Sequence, residues 1–192
     1  MAVRLTRGTY YHIPKTGGIF LCAVLDRIPG LVASFSGLRH DYANSGFPGF
    51  SFVREPTSWL KSYWRYRYAA EVTGTGWRPF YAQAESHPTH VFDRCGSTDP
   101  LEFIDKVTKQ APGEVTRLFR RFESLRVCKY EYLKDEFISA LRFFGHTNID
   151  FDHAFNIPNQ NISQGPDFEI PGSLIDQVKV AERIAYERYG YA

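Results

Sequence analysis

The segment that decides the fold is residues 8–28, which read GTYYHIPKTGGIFLCAVLDRI. Its β-branched and aromatic start predicts a strand over 8–13, and Pro14 ends that strand. After two glycines, apolar residues recur at helical spacing until Pro29-Gly30. They are Phe20, Leu21, Val24, Leu25 and Ile28. The segment therefore predicts a strand, a glycine turn and a helix, which is the repeating unit of α/β proteins.

Strands and helices continue to alternate along the chain. Short apolar runs predict further strands, and helical spacing predicts further helices. The strands are at 31–35, 50–53 and 124–130, and the helices are at Pro56 onward, Asp99-Pro100 onward, 114–122, 133–144 and 173–189. Residues 71–98 have no sustained period, so we interpret them as an insertion or lid within one domain of residues 1–192. The alternation predicts an α/β fold whose sheet has four to five mainly parallel strands flanked by helices.

Composition limits the classes of partner. The chain has 192 residues, with 23 Lys+Arg against 21 Asp+Glu and a net charge of +2. This excess is too small for an electrostatic nucleic-acid footprint, so we expect no nucleic-acid partner. Three cysteines far apart favour a reducing compartment, and we find neither a secretory segment nor a membrane span. We therefore expect a soluble, cytoplasmic protein with no membrane partner, and the oligomeric state stays open.

Residues 12–18, HIPKTGG, form a candidate phosphate loop. They place Lys15 and two glycines between a strand and a helix N-terminus, where backbone N–H groups and the helix dipole favour an anion. The pattern differs from GxxxxGK[ST], because the lysine precedes the glycines. Taken alone, it is equally compatible with an ordinary tight turn that exposes Lys15.

A second candidate lies at residues 50–64, FSFVREPTSWLKSYW. Arg54 ends a predicted strand and offers bidentate donors, while Ser62 offers a hydroxyl on the following helix. Together they predict a second phosphate clamp. In isolation, Arg54 is better explained by an ion pair with Glu55 or Glu131, and Ser62 by a solvent-facing position.

In combination, HIPKTGG and FVREPxxxLxSxY resemble the two cofactor-binding motifs of sulfotransferases that use 3'-phosphoadenosine 5'-phosphosulfate (PAPS). The resemblance is closest to the carbohydrate branch, including the 2-O-sulfotransferases. It extends over nearly the whole chain: KYEYLKDEF with LRFFG resembles the family's RYEDL region, Asn161-Ile162-Ser163 its NxS loop, and AERIAYERYGY its closing helix. It implies a P-loop-like, three-layer sulfotransferase domain.

The resemblance also implies residue roles. The 5'-phosphosulfate would be held by Lys15, Thr16, Gly17 and Gly18, and the 3'-phosphate by Arg54 and Ser62. Lys15 would also have a catalytic role, because it would neutralise charge on the bridging oxygen as the sulfuryl group leaves.

Two positions depart from the family pattern. Ile19-Phe20 stands where the family usually has Thr-Ser, so two hydroxyl donors are missing and only the backbone amides of Ile19 and Phe20 would contact the cofactor. We expect weaker cofactor binding as a result. Tyr132 stands where the family has an acid, which removes any role for a carboxylate there.

Sulfuryl transfer to a hydroxyl also needs a base, and His40 in GLRHDY is our candidate. Related 2-O-sulfotransferases have a catalytic histidine in this interval, and other branches have a glutamate. Neighbouring Asp41 and an ordinary surface histidine are the alternatives. His12 is better explained as a packed histidine. The expected acceptor is a small molecule or saccharide. Four aromatic side chains are candidates for stacking on a sugar, although aromatic residues in loops more often fill a small core of their own: Tyr66, Trp77, Phe80 and Tyr81.

Two other functions stay open. A nucleotide-binding, kinase-like enzyme would need the phosphate loop and the magnesium carboxylate of that class. A binding protein that keeps the sulfotransferase fold without turnover would explain Ile19-Phe20. We expect no metal: His87, His90, Asp93 and Cys95 are clustered in sequence, but their spacing matches no zinc template.

Overall fold

The computed structural model describes residues 2–35, 48–73, 87–123, 126–158 and 165–191. Within these ranges the chain divides into two compact units. The first, which we call the sheet unit, consists of Met1–Arg54 and Arg121–Ile162. The second, which we call the helical unit, consists of Glu55–Arg120 and Ser163–Ala192. The fold is α/β, as the alternation predicts.

The sheet unit contains one five-stranded sheet with the order β3-β1-β2-β4-β5. Its strands are β1 (Ala2–Leu5), β2 (Thr9–Tyr11), β3 (Val32–Phe35), β4 (Gly49–Val53) and β5 (Arg126–Lys129). Its helices are α1 (Gly18–Asp26), α6 (Leu133–Phe143) and α7 (Phe151–Phe155), and a 3-10 turn spans Tyr130–Tyr132. β4 pairs in parallel with β2 and with β5.

The prediction of a mainly parallel sheet is wrong, because the sheet is mixed. The four strands predicted from the sequence exist and run in the same direction. The fifth strand, β1, was missed, and it pairs antiparallel with both β2 and β3. β1 has four residues and turns into β2 at Gly8, whose φ is +87°. Such a short strand before a hairpin turn shows too few alternations for a period to be seen.

One face of the sheet carries the core of this unit. Alternate residues of the strands point to that face, as the period of two requires. They are buried together with the inner faces of α1 and α6. The cluster includes Val3, Leu5, Tyr10, Phe50, Phe52 and Cys128 from the strands, and Leu21, Val24, Leu25, Phe137, Ala140 and Leu141 from the helices. Phe50 stacks on Tyr10 with ring centroids 5.3 Å apart. This packing holds α1 and α6 in place beside the carboxyl ends of the parallel strands.

The helical unit is built from α2 (Pro56–Thr73), α3 (His90–Arg94), α4 (Pro100–Gln110), α5 (Glu114–Arg121), α8 (Gly172–Ala181) and α9 (Arg183–Tyr189), with the last residue of α5 in the sheet unit. Pro56 opens α2, and Asp99 caps α4 by accepting from the N–H of Leu101, as the sequence predicts. None of the helices in the described ranges combines the length and the hydropathy needed to cross a bilayer.

Three predicted segments differ from the structure. The predicted helix over 173–189 is interrupted at Glu182, which separates α8 from α9. Between the predicted helices over 133–144 and 173–189, where the sequence pattern indicates no element, the structure has the short helix α7. The proposed lid over 71–98 begins inside α2 and includes α3, while residues 74–86 lie outside the described residues.

The interruption at Glu182 has a structural cause. Its carboxylate is 2% exposed and accepts hydrogen bonds from the first turn of α5. The donors are the N–H of Val115 at 3.1 Å and the N–H and hydroxyl of Thr116 at 2.8 and 2.7 Å. Burial raises the pKa of Glu182, and these hydrogen bonds oppose that shift. The carboxylate therefore caps a helix that is remote in sequence.

We predict that Glu182→Ala lowers the free energy of unfolding by roughly 2–3 kcal/mol, because three buried donors lose their acceptor. The matched control is Glu187→Ala in α9, where the glutamate is exposed and pairs with Arg183 at 3.3 Å. We expect the control to change stability by less than about 1 kcal/mol. Equal losses in urea denaturation would contradict the capping role.

Candidate anion-binding site

The candidate site lies at the carboxyl ends of three neighbouring strands. β2, β4 and β5 are adjacent and parallel, with Tyr11 paired to Ser51 and Val53 paired to Lys129. Ligands of α/β sheets bind at this edge. The loop that contains Lys15 follows β2, Arg54 follows β4 directly, and Tyr130 follows β5 directly. Arg54 is thus on the central strand of the three.

The loop after β2 has a specific backbone conformation. Lys15 is the one residue other than glycine that the described ranges hold at positive φ, at +65°, and Gly17 has a φ of +79°. A side chain in this region costs about 1 kcal/mol or more, and such strain is concentrated at ligand sites. Between the two, Thr16 is fully buried and its hydroxyl donates to the carbonyl of Ile13 at 2.8 Å. That hydrogen bond stabilises the loop and uses the proton of the hydroxyl. Thr16 would therefore donate to a ligand through its backbone N–H.

The loop leads into the N-terminus of α1. Gly17 is the N-cap residue and has no side-chain oxygen to accept from the first turn. The first N–H groups of a helix have no partner within it, and the positive end of the dipole lies there. The change from negative φ at Thr16 to positive φ at Gly17 forms the kind of concave backbone turn that binds anions. The backbone can therefore hold a phosphate or sulfate group at this point.

The two residues that depart from the family pattern have different environments. Ile19 is 42% exposed in the first turn of α1. Phe20 packs against the core of the sheet unit, and its ring centroid is 6.0 Å from that of Phe155. The Phe20 side chain is partly buried and has no polar atom, so any hydrogen bond of this residue to an anion is through the backbone.

Both glycines of the loop face side chains of the protein. A Cβ on Gly18 would lie 1.8 Å from Cδ2 and 2.0 Å from Nε2 of His12. A Cβ on Gly17 would lie 3.0 Å from Cδ2 of Leu133 and 3.2 Å from Cε2 of Tyr130. His12 is therefore a packed histidine, as the sequence suggests, and it is packed on the first residue of α1.

We predict that Gly18→Ala lowers the free energy of unfolding by about 1–3 kcal/mol, because the new methyl group overlaps the His12 ring. Gly172→Ala is the matched control, since Gly172 is also the first residue of a helix and a Cβ there meets nothing within 4 Å. We expect that control to be neutral or slightly stabilising. In His12→Ala/Gly18→Ala the loss should be smaller than the sum of the single losses, and additive losses in chemical denaturation would contradict the overlap.

Arg54 contacts the parts of the site on both sides of it. Its Nη1 donates to the carbonyl of Lys15 at 3.4 Å, and its Cζ lies 4.4 Å from the centroid of the Tyr130 ring. The structure thus brings Arg54 beside the Lys15 loop, as the two motifs require. Tyr130, which the sequence places at the end of the predicted strand 124–130 and to which no role was assigned, is instead the first residue after β5.

Ser62 lies half-buried in α2, in the helical unit, whereas Arg54 is the last residue of the sheet unit. Their pairing on one phosphate stays a prediction. The first turn of α2 is capped by Glu55, which accepts from the N–H of Thr57 at 3.1 Å and of Ser58 at 2.6 Å. Tyr186 donates to the same carboxylate, and burial raises the pKa of that tyrosine. Glu55 therefore fills the position at the α2 N-terminus that an anion would need.

Several predicted residues lie outside the described residues. They are the candidate bases His40 and Asp41, the loop Asn161-Ile162-Ser163, and the aromatic residues Trp77, Phe80 and Tyr81. Their roles stay predictions.

Asp93, from the sequence cluster with His87, His90 and Cys95, forms buried polar contacts. Asp93 accepts from the hydroxyl of Tyr63 at 2.6 Å and pairs with Arg67 at 3.1 Å, deep in the helical unit. Burial raises the pKa of Asp93 to about 6. Among the described residues, no group of three or more His, Cys, Asp or Glu side chains has an arrangement that fits a metal ion.

No family model, curated protein or solved structure matches this chain.

Proposed function

We propose that the protein is a sulfotransferase with a P-loop-like fold, which moves a sulfuryl group from PAPS to an acceptor hydroxyl on a saccharide. One observation carries the proposal. The two motifs that resemble the PAPS-binding motifs lie on adjacent parallel strands, with the Arg54 guanidinium 3.4 Å from the Lys15 carbonyl. The donors found there are backbone amides, a lysine and an arginine, which suit phosphate and sulfate groups.

In the proposed reaction, the acceptor oxygen attacks sulfur in line as the bond from sulfur to the bridging oxygen breaks. The product 3'-phosphoadenosine 5'-phosphate leaves with the electron pair, and the acceptor's proton passes to a base. In such transfers, positioning and charge stabilisation provide most of the acceleration. Lys15 would neutralise the charge on the bridging oxygen, and His40 is the proposed base.

The donors divide between the two ends of the cofactor. The backbone from Thr16 to Phe20, together with Lys15, would hold the 5'-phosphosulfate at the N-terminus of α1. Arg54 and Ser62 would hold the 3'-phosphate. With the Thr16 hydroxyl bonded to Ile13 and the Phe20 ring packed against the core, backbone N–H groups would provide most of the hydrogen bonds at the 5' end.

A protein that binds the nucleotide without turnover is the second candidate. The observation in its favour is the Ile19 side chain, which is 42% exposed in the first turn of α1, where the family usually has a hydroxyl. Binding with no sulfuryl transfer to any saccharide acceptor tested would favour this candidate over the enzyme.

We expect 3'-phosphoadenosine 5'-phosphate at about 100 times its dissociation constant to raise the Tm by roughly 5–10 °C, because it binds only the folded state. ATP and ADP, which lack a 3'-phosphate, should raise it far less at the same concentration. Differential scanning fluorimetry measures all three. Equal stabilisation by ATP would favour the kinase-like alternative, and no shift with the bisphosphate would remove the proposed cofactor.

Variants at the two motifs should separate catalysis from binding. Lys15→Ala should lower turnover by roughly 10²–10³, the usual loss when one preorganised donor to transition-state charge is removed. Arg54→Ala should mainly raise the dissociation constant of the bisphosphate. The matched control is Lys109→Ala, because Lys109 is exposed and pairs with Asp105 in α4. Calorimetry measures the dissociation constant, and a sulfuryl-transfer assay measures turnover. The assigned roles would be wrong if Lys15→Ala changed only the dissociation constant and Arg54→Ala left it unchanged.

A further inference from the structure

Tyr130 lies against both anion-binding motifs of the sheet unit. It follows β5 and begins the 3-10 turn Tyr130–Tyr132. The face of its ring lies 4.4 Å from Cζ of Arg54, and its edge atom Cε2 is 3.2 Å from the position that a Cβ on Gly17 would occupy. It therefore contacts the central arginine and the phosphate loop at once.

The contact with Arg54 has an energetic consequence. A guanidinium within about 6 Å of an aromatic centroid is attracted to the ring face, and the planar group can stack there. The Lys15 carbonyl fixes one nitrogen of the same group. An arginine side chain otherwise loses rotamer entropy when a ligand holds it in one conformation. Because the Tyr130 ring and the Lys15 carbonyl already hold Arg54 before a ligand binds, less side-chain entropy is lost on binding.

The contact between Tyr130 and Gly17 limits the movement of the loop that contains Lys15. Gly17 has a φ of +79°, and its α-carbon faces the Tyr130 edge and Leu133, the first residue of α6. α6 is part of the same core as α1. Any movement of the loop toward β5 would bring Gly17 into the Tyr130 ring, so the tyrosine restrains the loop on the side of Arg54.

We propose that Tyr130 is a positioning residue, whose ring holds the Arg54 guanidinium beside the Lys15 loop before an anionic nucleotide binds. Its effect on affinity rests on the proposed function. The placement of Arg54 is a property of the protein without ligand, so the two can be tested separately.

The binding test measures the dissociation constant of 3'-phosphoadenosine 5'-phosphate by calorimetry. Tyr130→Leu removes the ring and should weaken binding about threefold to tenfold. Tyr130→Phe keeps the ring face and should bind like the wild type. Tyr132→Leu is the matched control, because Tyr132 is in the same turn but 62% exposed. In an Arg54→Ala background, Tyr130→Leu should have no further effect.

A second measurement needs no ligand. In the wild-type protein, the ring current of Tyr130 should shift the Nε–Hε proton of Arg54 upfield in NMR spectra, and Arg54→Lys assigns that signal by its loss. Tyr130→Leu should return the signal to the ordinary position, while Tyr132→Leu should leave it shifted. The wild-type spectrum alone tests the placement even if Tyr130→Leu does not fold.

The outcomes separate the two claims. If the bisphosphate does not bind the wild type but the Arg54 signal is shifted, the proposed function fails and the placement of Arg54 by Tyr130 stands. If Tyr130→Phe weakens binding as much as Tyr130→Leu, the hydroxyl contacts the ligand and the positioning role is overturned. An unshifted Arg54 signal, or equal losses for Tyr130→Leu with and without Arg54, also overturns it.

Discussion

The parallel pairing of β4 with β2 on one side and with β5 on the other is the constraint on which the site depends. It brings the carboxyl ends of three strands to one edge, with Arg54 on the central strand. A guanidinium there is close enough to contact the chain after either neighbour, and it contacts both, through the Lys15 carbonyl and the Tyr130 ring. Residues that are far apart in sequence become one cluster without any further rearrangement of the chain.

The electrostatics of this cluster are local. The chain carries a net charge of only +2, so attraction of an anion over long distances is weak. The Arg54 guanidinium lies beside the Lys15 loop, and that loop leads into the positive end of the α1 dipole, where the helix fixes the direction of the backbone N–H groups. At the start of α2, the Glu55 carboxylate satisfies the first amides from within the chain. The starts of α1 and α2 therefore differ in their capacity for an anionic ligand, because α1 has no side-chain cap.

The sequence was sufficient for the elements that have a clear period or a strong terminal residue. The strand before Pro14, the helix opened by Asp99-Pro100 and the helix over 133–144 were all found. It was not sufficient for β1, because four residues before a hairpin show no measurable alternation, and this strand changes the sheet from parallel to mixed. The break at Glu182 was also missed, since it depends on donors in α5 that are remote in sequence. Lys15 and Arg54 could be identified as partners from their motifs, but Tyr130 required knowledge of which strand is next to β4.

Gly17 and Gly18 match a phosphate-loop motif, but their immediate neighbours are side chains of the protein. In a phosphate loop, glycines are commonly explained by the close approach of a ligand to the backbone. Here the space beside each α-carbon is taken by the protein itself, by His12 at Gly18 and by Leu133 and Tyr130 at Gly17. The absence of a side chain at these positions thus permits close packing of the loop on β2, α6 and the turn after β5. An anion would then meet the N–H side of the loop, since a change from negative φ at Thr16 to positive φ at Gly17 is typical of backbone turns that bind anions. The glycines act on the ligand indirectly, because the packing they allow keeps these amides in place.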